Sequence, residues 1–160
     1  PRVRPTMDRY KVERTCGEGS FAVVYQARSL KDGGGRVAIK KIKQPQSSWQ
    51  SCLKVRELRA FKSMGAHPNV VKLKEVLLEK QTLYFVFEFL DCNLAQLMHA
   101  QAKAPPSDAR VSARVRMLLD GLGHMHANGF MHRDLKPENV LCDAAGSALK
   151  LADLGLARRV

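Results

Sequence analysis

Residues 132–139 read HRDLKPEN, and fourteen residues after Asn139 come Asp153, Leu154 and Gly155. The string sets a carboxylate at Asp134, an ammonium two positions on at Lys136 and an amide three beyond that at Asn139, in a segment that Pro137 keeps out of a regular helix. Near the other end of the chain, Gly17 and Gly19 leave backbone amides with no side chain in front of them, and such amides come close to phosphate oxygens. A glycine pair of this kind alone equally marks a plain hairpin turn. Phosphoryl transfer asks for this set of groups, because the protein does little covalent work and must position an acceptor hydroxyl while neutralising triphosphate charge.

These groups need elements to hold them. Residues 10–28 read as two strands about the glycine turn: Tyr10 and Val12 alternate with charged neighbours, and Val23, Val24, Tyr25 and Ala27 form the return strand. After a turn at Gly33 to Gly35, residues 36–43 alternate so that Val37 and Ile39 share one face while Ala38 and Lys40 share the other. Residues 49–64 carry a helical period through Leu53, Glu57, Phe61 and Met64, which puts the Glu57 carboxylate on an apolar stripe. A buried charge of that kind requires a cation beside it. Gly65 closes the helix, and His67-Pro68-Asn69 turns the chain into the next strand.

Residues 70–78 and 82–90 read as two β-rich runs joined by the polar Glu79-Lys80-Gln81 turn, and 91–100 as a short helix. Pro105-Pro106 ends the connection that follows. Ser107 or Asp108 then caps a long helix whose stripe of Val111, Val115, Leu118, Leu119, Leu122 and Met125 reads as core, with Arg110, Arg114 and Arg116 on its solvated side and Gly129 at its end. Val140-Leu141-Cys142 and residues 149–152 make a hairpin across the 143–146 turn.

The order of GEGSFAVV, VAIK, FVFEFL, HRDLKPEN and the Asp153 triplet resembles a protein kinase over nearly the whole chain. The fold this implies is α+β: an N-terminal extension over 1–9, a β-rich N-lobe with one main helix and the hinge over 10–90, and the first, mainly helical part of the C-lobe over 91–160. The resemblance implies that Asp134 orients the acceptor hydroxyl, that Lys136 sits near the transferred phosphate, and that Asn139 and Asp153 hold Mg2+. It implies further that Gly17 and Gly19 cover the phosphates of ATP, and that Lys40 binds them and is the cation beside Glu57. Val24, the small Ala38, Phe87 as the gatekeeper and Leu141 as the floor would surround the adenine. The backbone of Glu88 and Leu90 would pair with the adenine edge, and Asn93 would reach the ribose.

Lys136 points to a serine/threonine enzyme. VREL, VFEFLDCNLAQLM, HRDLKPENVL and LADLGLARR are most similar to the group of cyclin-dependent and mitogen-activated kinases, in its male-germ-cell-associated-kinase-like or cyclin-dependent branch, which implies proline-directed phosphorylation of a protein. The sequence departs from the family pattern at Ala22, where a third glycine is usual, at Ser20-Phe21 in place of a Thr-Tyr pair, and at Leu154 in place of Phe. Leu154 remains large enough to pack with Phe61, Leu73 and His132, the positions of the family's regulatory stack. The family pattern continues well past the five residues that follow Gly155, so the end of the activation segment is expected outside these 160 residues. Little transfer is expected of the 160 residues alone. Two non-catalytic readings stand beside the kinase: a pseudokinase scaffold, and a truncated fragment acting as a nucleotide-binding or partner-binding module.

Composition sets wider bounds. The 27 Lys+Arg against 15 Asp+Glu give a net charge of +12, which favours anionic partners, but the basic residues are scattered without interleaved aromatics, so dedicated nucleic-acid binding is not expected. Cys16, Cys52, Cys92 and Cys142 lie far apart in sequence with no CxxC pair, which suggests neither zinc nor a disulfide framework and fits a reducing compartment, cytosol or nucleus. Residues 1–8 are polar and basic with no apolar core of a secretory signal, and no run reaches the roughly 20 apolar residues of a membrane span. An activating subunit or an upstream kinase is a further expected partner.

Overall fold

Alternation at residues 36–42 sets the first part of the structure, since Val37 and Ile39 are buried while Ala38 and Lys40 are not. The computed structural model describes residues 6–160, apart from the side chain of Asp32. Residues 1–5 of the expected extension lie outside the described residues, and Met7–Arg9 form a single 3-10 turn. Strands β1 (Tyr10–Glu18), β2 (Ala22–Ser29) and β3 (Arg36–Ile42) follow, then a short helix α1 (Trp49–Cys52), helix α2 (Arg56–Met64) and strands β4 (Leu73–Glu79) and β5 (Thr82–Glu88). The five strands make one antiparallel sheet in the order β1-β2-β3-β5-β4. On one face Ala27, Val37, Ile39, Leu77 and Val86 form a core on which Met7, Tyr10 and Tyr84 pack.

Chain contacts divide the molecule into two units, residues 6–54 with 72–89, and Val55–Val71 with Leu90–Val160. Residues 55–71, expected with the first lobe, therefore group with the second. The single helix expected over 49–64 is broken at the same place. Ser48 and Ser51 close a capping box around α1, whereas Val55 is extended (φ −62°, ψ 123°) ahead of α2. Leu53 consequently leaves the apolar stripe and is exposed, while Glu57, Leu58, Ala60, Phe61 and Met64 are buried. Gly65 ends α2 at a positive φ of 70°, as expected of a glycine there.

The strand expected from residue 70 begins only at Leu73, because Val70 and Val71 are engaged elsewhere. Val70 bridges Leu151 in parallel, and the Val71 N–H donates to the Leu151 carbonyl at 2.9 Å. Between β4 and β5, Lys80 and Gln81 both take positive φ (45° and 63°), the two-residue hairpin turn whose twist matches the strands, here made without glycine or asparagine.

The second unit continues with β6 (Cys92–Asn93), α3 (Leu94–Ala100), α4 (Asp108–Ala127), β7 (Phe130–Met131), β8 (Val140–Cys142), β9 (Leu149–Leu151) and β10 (Arg158–Arg159). The expected 91–100 helix starts later than the sequence suggested, because Asn93 caps it: its Oδ1 accepts from the Gln96 N–H while the Gln96 side chain accepts from the Asn93 N–H. Ser107 precedes α4 without a side-chain capping bond. Gly129, past the end of α4, has φ 75°.

The stripe of α4 is covered only in part. Met125 is fully buried, but Val111, Val115 and Leu119 are 44%, 47% and 61% exposed. Arg114, expected on the solvated side, is instead 7% exposed. Its guanidinium donates to the carbonyls of Gly146 (3.1 Å) and Ala145 (3.4 Å) and to Gln101 Oε1 (3.0 Å), so the helix buries a charged group by giving it three acceptors. The β8–β9 turn it grips is shaped by Asp143, whose carboxylate accepts from the backbone and hydroxyl of Ser147, and by Gly146 at φ 66°. A Cβ at position 146 would overlap the guanidinium and Leu97. No helix among the described residues is long and apolar enough to cross a membrane.

Two glycines of α4 separate helix propensity from packing. A Cβ on Gly121 would lie 2.7 Å from the Asn69 carbonyl oxygen, whereas one on Gly123 would meet nothing within 4 Å. Gly123→Ala should stabilise the fold by about 0.5–1 kcal/mol through helix propensity alone, and Gly121→Ala should destabilise it by about 1–3 kcal/mol. Chemical denaturation of the two variants measures both, and equal shifts of the same sign would contradict this packing.

Candidate active site

The catalytic-loop residues come together within the second unit. His132, at 2% exposure, fixes them from below: its Nδ1 accepts from the Asp134 N–H at 3.3 Å and its Nε2 donates to the Ala152 carbonyl at 2.9 Å. One ring nitrogen accepting and the other donating describes a neutral imidazole with its proton on Nε2. A second pair of bonds follows, since the Asn139 carbonyl accepts from the Ala152 N–H at 2.9 Å and the Asn139 N–H donates to the Lys136 carbonyl at 2.9 Å. The loop is thereby tied to the residue that precedes Asp153.

Asn139 is buried, and its Nδ2 donates to both the backbone carbonyl and the Oδ2 of Asp134, at 2.8 Å each. That orientation leaves the amide oxygen as the side chain's remaining polar atom. Lys136 Nζ stands 3.0 Å from the same Asp134 Oδ2. The Lys136 ammonium holds the Asp134 carboxyl below the usual carboxylate range, with a smaller contribution from the Asn139 amide, while burial and the Asp153 charge push the other way. The same pairing raises the Lys136 ammonium above its ordinary value. Both groups stay charged across the neutral range, and their attraction is lost only as pH falls through the lowered Asp134 value or rises through the raised Lys136 value. A carboxylate whose value is lowered by a neighbouring cation is a weaker base than an unpaired one.

Of four non-glycine residues with positive φ among the described residues, two flank this cluster: Arg133 (φ 68°) and Asp153 (φ 55°). Such positions cost of the order of 1–3 kcal/mol each for ordinary residues, less for aspartate, and they gather where a side chain must be aimed. Asp153 caps the 3-10 turn Leu154–Leu156, its Oδ1 accepting from the Gly155 N–H at 3.4 Å, and Leu154 is fully buried where α2 packs on that turn. Asn139 and Asp153 are both hard-oxygen side chains. Among the described residues no group of three or more His, Cys, Asp or Glu could hold a metal. One carboxylate and one amide nonetheless suit Mg2+, which takes few protein ligands and completes its shell from phosphates and water.

The first unit carries Val24, Ala38, Lys40 and Phe87 on one face of its sheet. Register places Val24 and Phe85 on either side of Lys40, and Gln26 and Phe87 on either side of Ala38. Val24, Ala38, Lys40, Phe85 and Phe87 therefore share the face opposite the Val37–Ile39 core. Phe85 and Phe87 meet edge to face with centroids 6.2 Å apart. A Cβ at Gly17 or Gly19 would meet nothing within 4 Å, so the backbone there is open to an approaching group. Gly19 donates to the Ala22 carbonyl at 2.9 Å, and Ala22 lies outside the positive-φ positions, which is why alanine serves at this point of the loop.

Glu88 ends β5 with its N–H on the Lys72 carbonyl (3.1 Å) and its carboxylate on the Lys72 N–H (2.7 Å), and Leu90 opens the second unit. In that unit Glu57 is buried on α2 at 3% exposure, and Leu141 pairs with Asn93 across β8 and β6. The capping box engages the Oδ1 and the N–H of Asn93 and does not use its Nδ2. Sequence reasoning missed the burial of Arg114 and the meeting of Cys92 with Cys142. Neither leaves a local signal, since the contacts span 32 and 50 residues.

Residues 10–160 match the family described as the protein kinase domain. The chain is 44% identical over 154 residues to cyclin-dependent kinase F-4 of Oryza sativa subsp. japonica, covering 96% of this chain and 32% of that protein. It is 42% identical to serine/threonine-protein kinase ICK of Rattus norvegicus and 41% identical to serine/threonine-protein kinase MAK of Homo sapiens, each over 96% of this chain and 24% of the relative. The chain thus spans about a quarter to a third of the length of the curated relatives it matches.

Because Lys136 is the largest cause of the lowered Asp134 value, Lys136→Met should move the Asp134 carboxyl upward, and the Asn139 bond should keep it from rising the whole way. Carboxyl carbon shifts followed through an acid titration measure this. An unmoved value would remove Lys136 from the loop's electrostatics.

Proposed function

Since this chain belongs to the protein kinase domain family, we propose that the protein carrying it is a serine/threonine kinase that transfers the γ-phosphoryl group of ATP to a protein hydroxyl, in the proline-directed manner its motifs resemble. The observation that carries this reading is the Asp134 carboxylate, held by Asn139 and Lys136 in one hydrogen-bonded loop that a buried His132 ties to the residue before Asp153.

In this reading Asp134 accepts a hydrogen bond from the acceptor hydroxyl and directs its lone pair, and Lys136 supplies a positive charge beside it. Asn139 and Asp153 present oxygens to the metal. Gly17 and Gly19 offer backbone N–H groups, Lys40 is the phosphate-binding cation, and Val24, Ala38, Phe87 and Leu141 are the apolar surroundings of the base. The Glu88 carbonyl and the Leu90 N–H recognise the base edge, and Asn93 has its Nδ2 to offer a ribose. ATP with Mg2+ would supply the phosphoryl group and neutralise the charge that develops on it. A cytosolic or nuclear protein substrate, and an activating subunit or an upstream kinase, complete the proposal.

Three variants of the intact protein test the division of labour. Asp134→Asn should retain magnesium-nucleotide binding while turnover falls by about 10²-fold or more. Asp153→Asn should lose the magnesium-dependent part of nucleotide affinity, and Lys40→Met should lower transfer without unfolding the sheet. Calorimetry with and without magnesium, beside a phosphate-transfer assay, reads all three. Equal binding losses for Asp134→Asn and Asp153→Asn, or near-normal turnover in Lys40→Met, would refute the assignment.

A further inference from the structure

We propose that Cys92 and Cys142 are an oxidation site, closing into a reversible cross-strand disulfide when the protein meets a peroxide. The register of β6 and β8 sets the two cysteines directly opposite each other, and their sulfurs are 3.5 Å apart. Directly opposed residues in antiparallel strands have Cα atoms about 4.5–5.5 Å apart, inside the span of about 4.4–6.8 Å that a disulfide bridges. The remaining approach, to a bond of about 2.05 Å, is within reach of side-chain rotation. Neighbouring contacts hold the frame: Asn93 pairs with Leu141, and Asp91 Oδ2 accepts from the Ala144 N–H at 3.2 Å.

The two thiols differ in access, and the chemistry follows from that. Cys92 is half-buried and Cys142 is buried, so the oxidant reaches Cys92 first. The Cys92 thiolate attacks one oxygen of hydrogen peroxide and the O–O bond breaks. This leaves a sulfenic acid at Cys92, and the departing hydroxide takes up the proton the thiol released. The Cys142 sulfur then attacks the Cys92 sulfur, the S–O bond breaks, and the leaving hydroxide departs as water with the Cys142 proton. Two thiols and one peroxide thus become one disulfide and two waters. Burial first, and Cys92 second, push the Cys142 thiol up to about 12, so this second step is slow near neutrality and quickens as pH rises. A dithiol reverses the reaction by exchange.

The test oxidises the full chain with hydrogen peroxide, blocks remaining thiols by alkylation and digests it without reductant. Two of the four thiols should be lost, in a Cys92–Cys142 linked peptide pair two hydrogens lighter than its reduced parts, and dithiothreitol should restore them. Cys142→Ala should let a sulfenic acid at Cys92 accumulate and be trapped by dimedone, while Cys16→Ser should change nothing. Sulfinic acid at Cys92 without cross-linking, a link to Cys16 or Cys52, or four alkylated thiols after peroxide would each overturn the proposal. If Cys142→Ala does not fold, the linked peptide in the unaltered chain and its loss in Cys92→Ser decide the matter.

Discussion

A neutral imidazole under the catalytic loop is the constraint on which the rest of the second unit depends. His132 has one nitrogen that accepts from the Asp134 N–H and one that donates to the Ala152 carbonyl. Losing either bond would strand a buried polar group at a cost of about 1–3 kcal/mol, whereas the Asp134–Lys136 pair is screened by solvent and adds little to folding. Position is therefore set by the buried bonds and charge by the exposed ones. Asn139 completes the arrangement because its backbone joins the strand side and its amide joins Asp134.

The first unit meets a different requirement, that one sheet present two unlike faces. Strand alternation meets it: Val37, Ile39 and Val86 go into the core, and Ala38, Lys40 and Phe87 go to the other side. A shift of register by one residue would exchange the two sets, so the same packing that stabilises the sheet also aims Lys40. The bare backbone at Gly17 and Gly19 adds an open edge to that face.

Features written in short range were legible in the sequence. Strand alternation at 36–42, the glycines that end α2 and α4, and the ordered loop from His132 to Asn139 each declare themselves within a few residues, and the structure has them where expected. Features settled by distant partners were not. Val70 and Val71 read as strand, but Leu151 claims them; Trp49 to Met64 reads as one helix, but Val55 is extended where one unit gives way to the other. Periodicity also says which residues share a face without saying whether anything covers it, which is why Val111, Val115 and Leu119 read as core and are exposed. Arg114 shows the converse, a charge drawn inside by carbonyls that no local pattern announces.

That arginine and the turn it grips have a consequence for how the chain can drift. Any side chain at position 146 would collide with the guanidinium, and φ there is positive, so glycine is held for two reasons at once. Removing Arg114 relieves only part of the collision, since Leu97 still stands in the way, and it takes a donor from the carbonyls of Ala145 and Gly146. Shortening the arginine first leaves the Leu97 contact and the positive φ in place, so glycine stays favoured at 146 whichever position changes first.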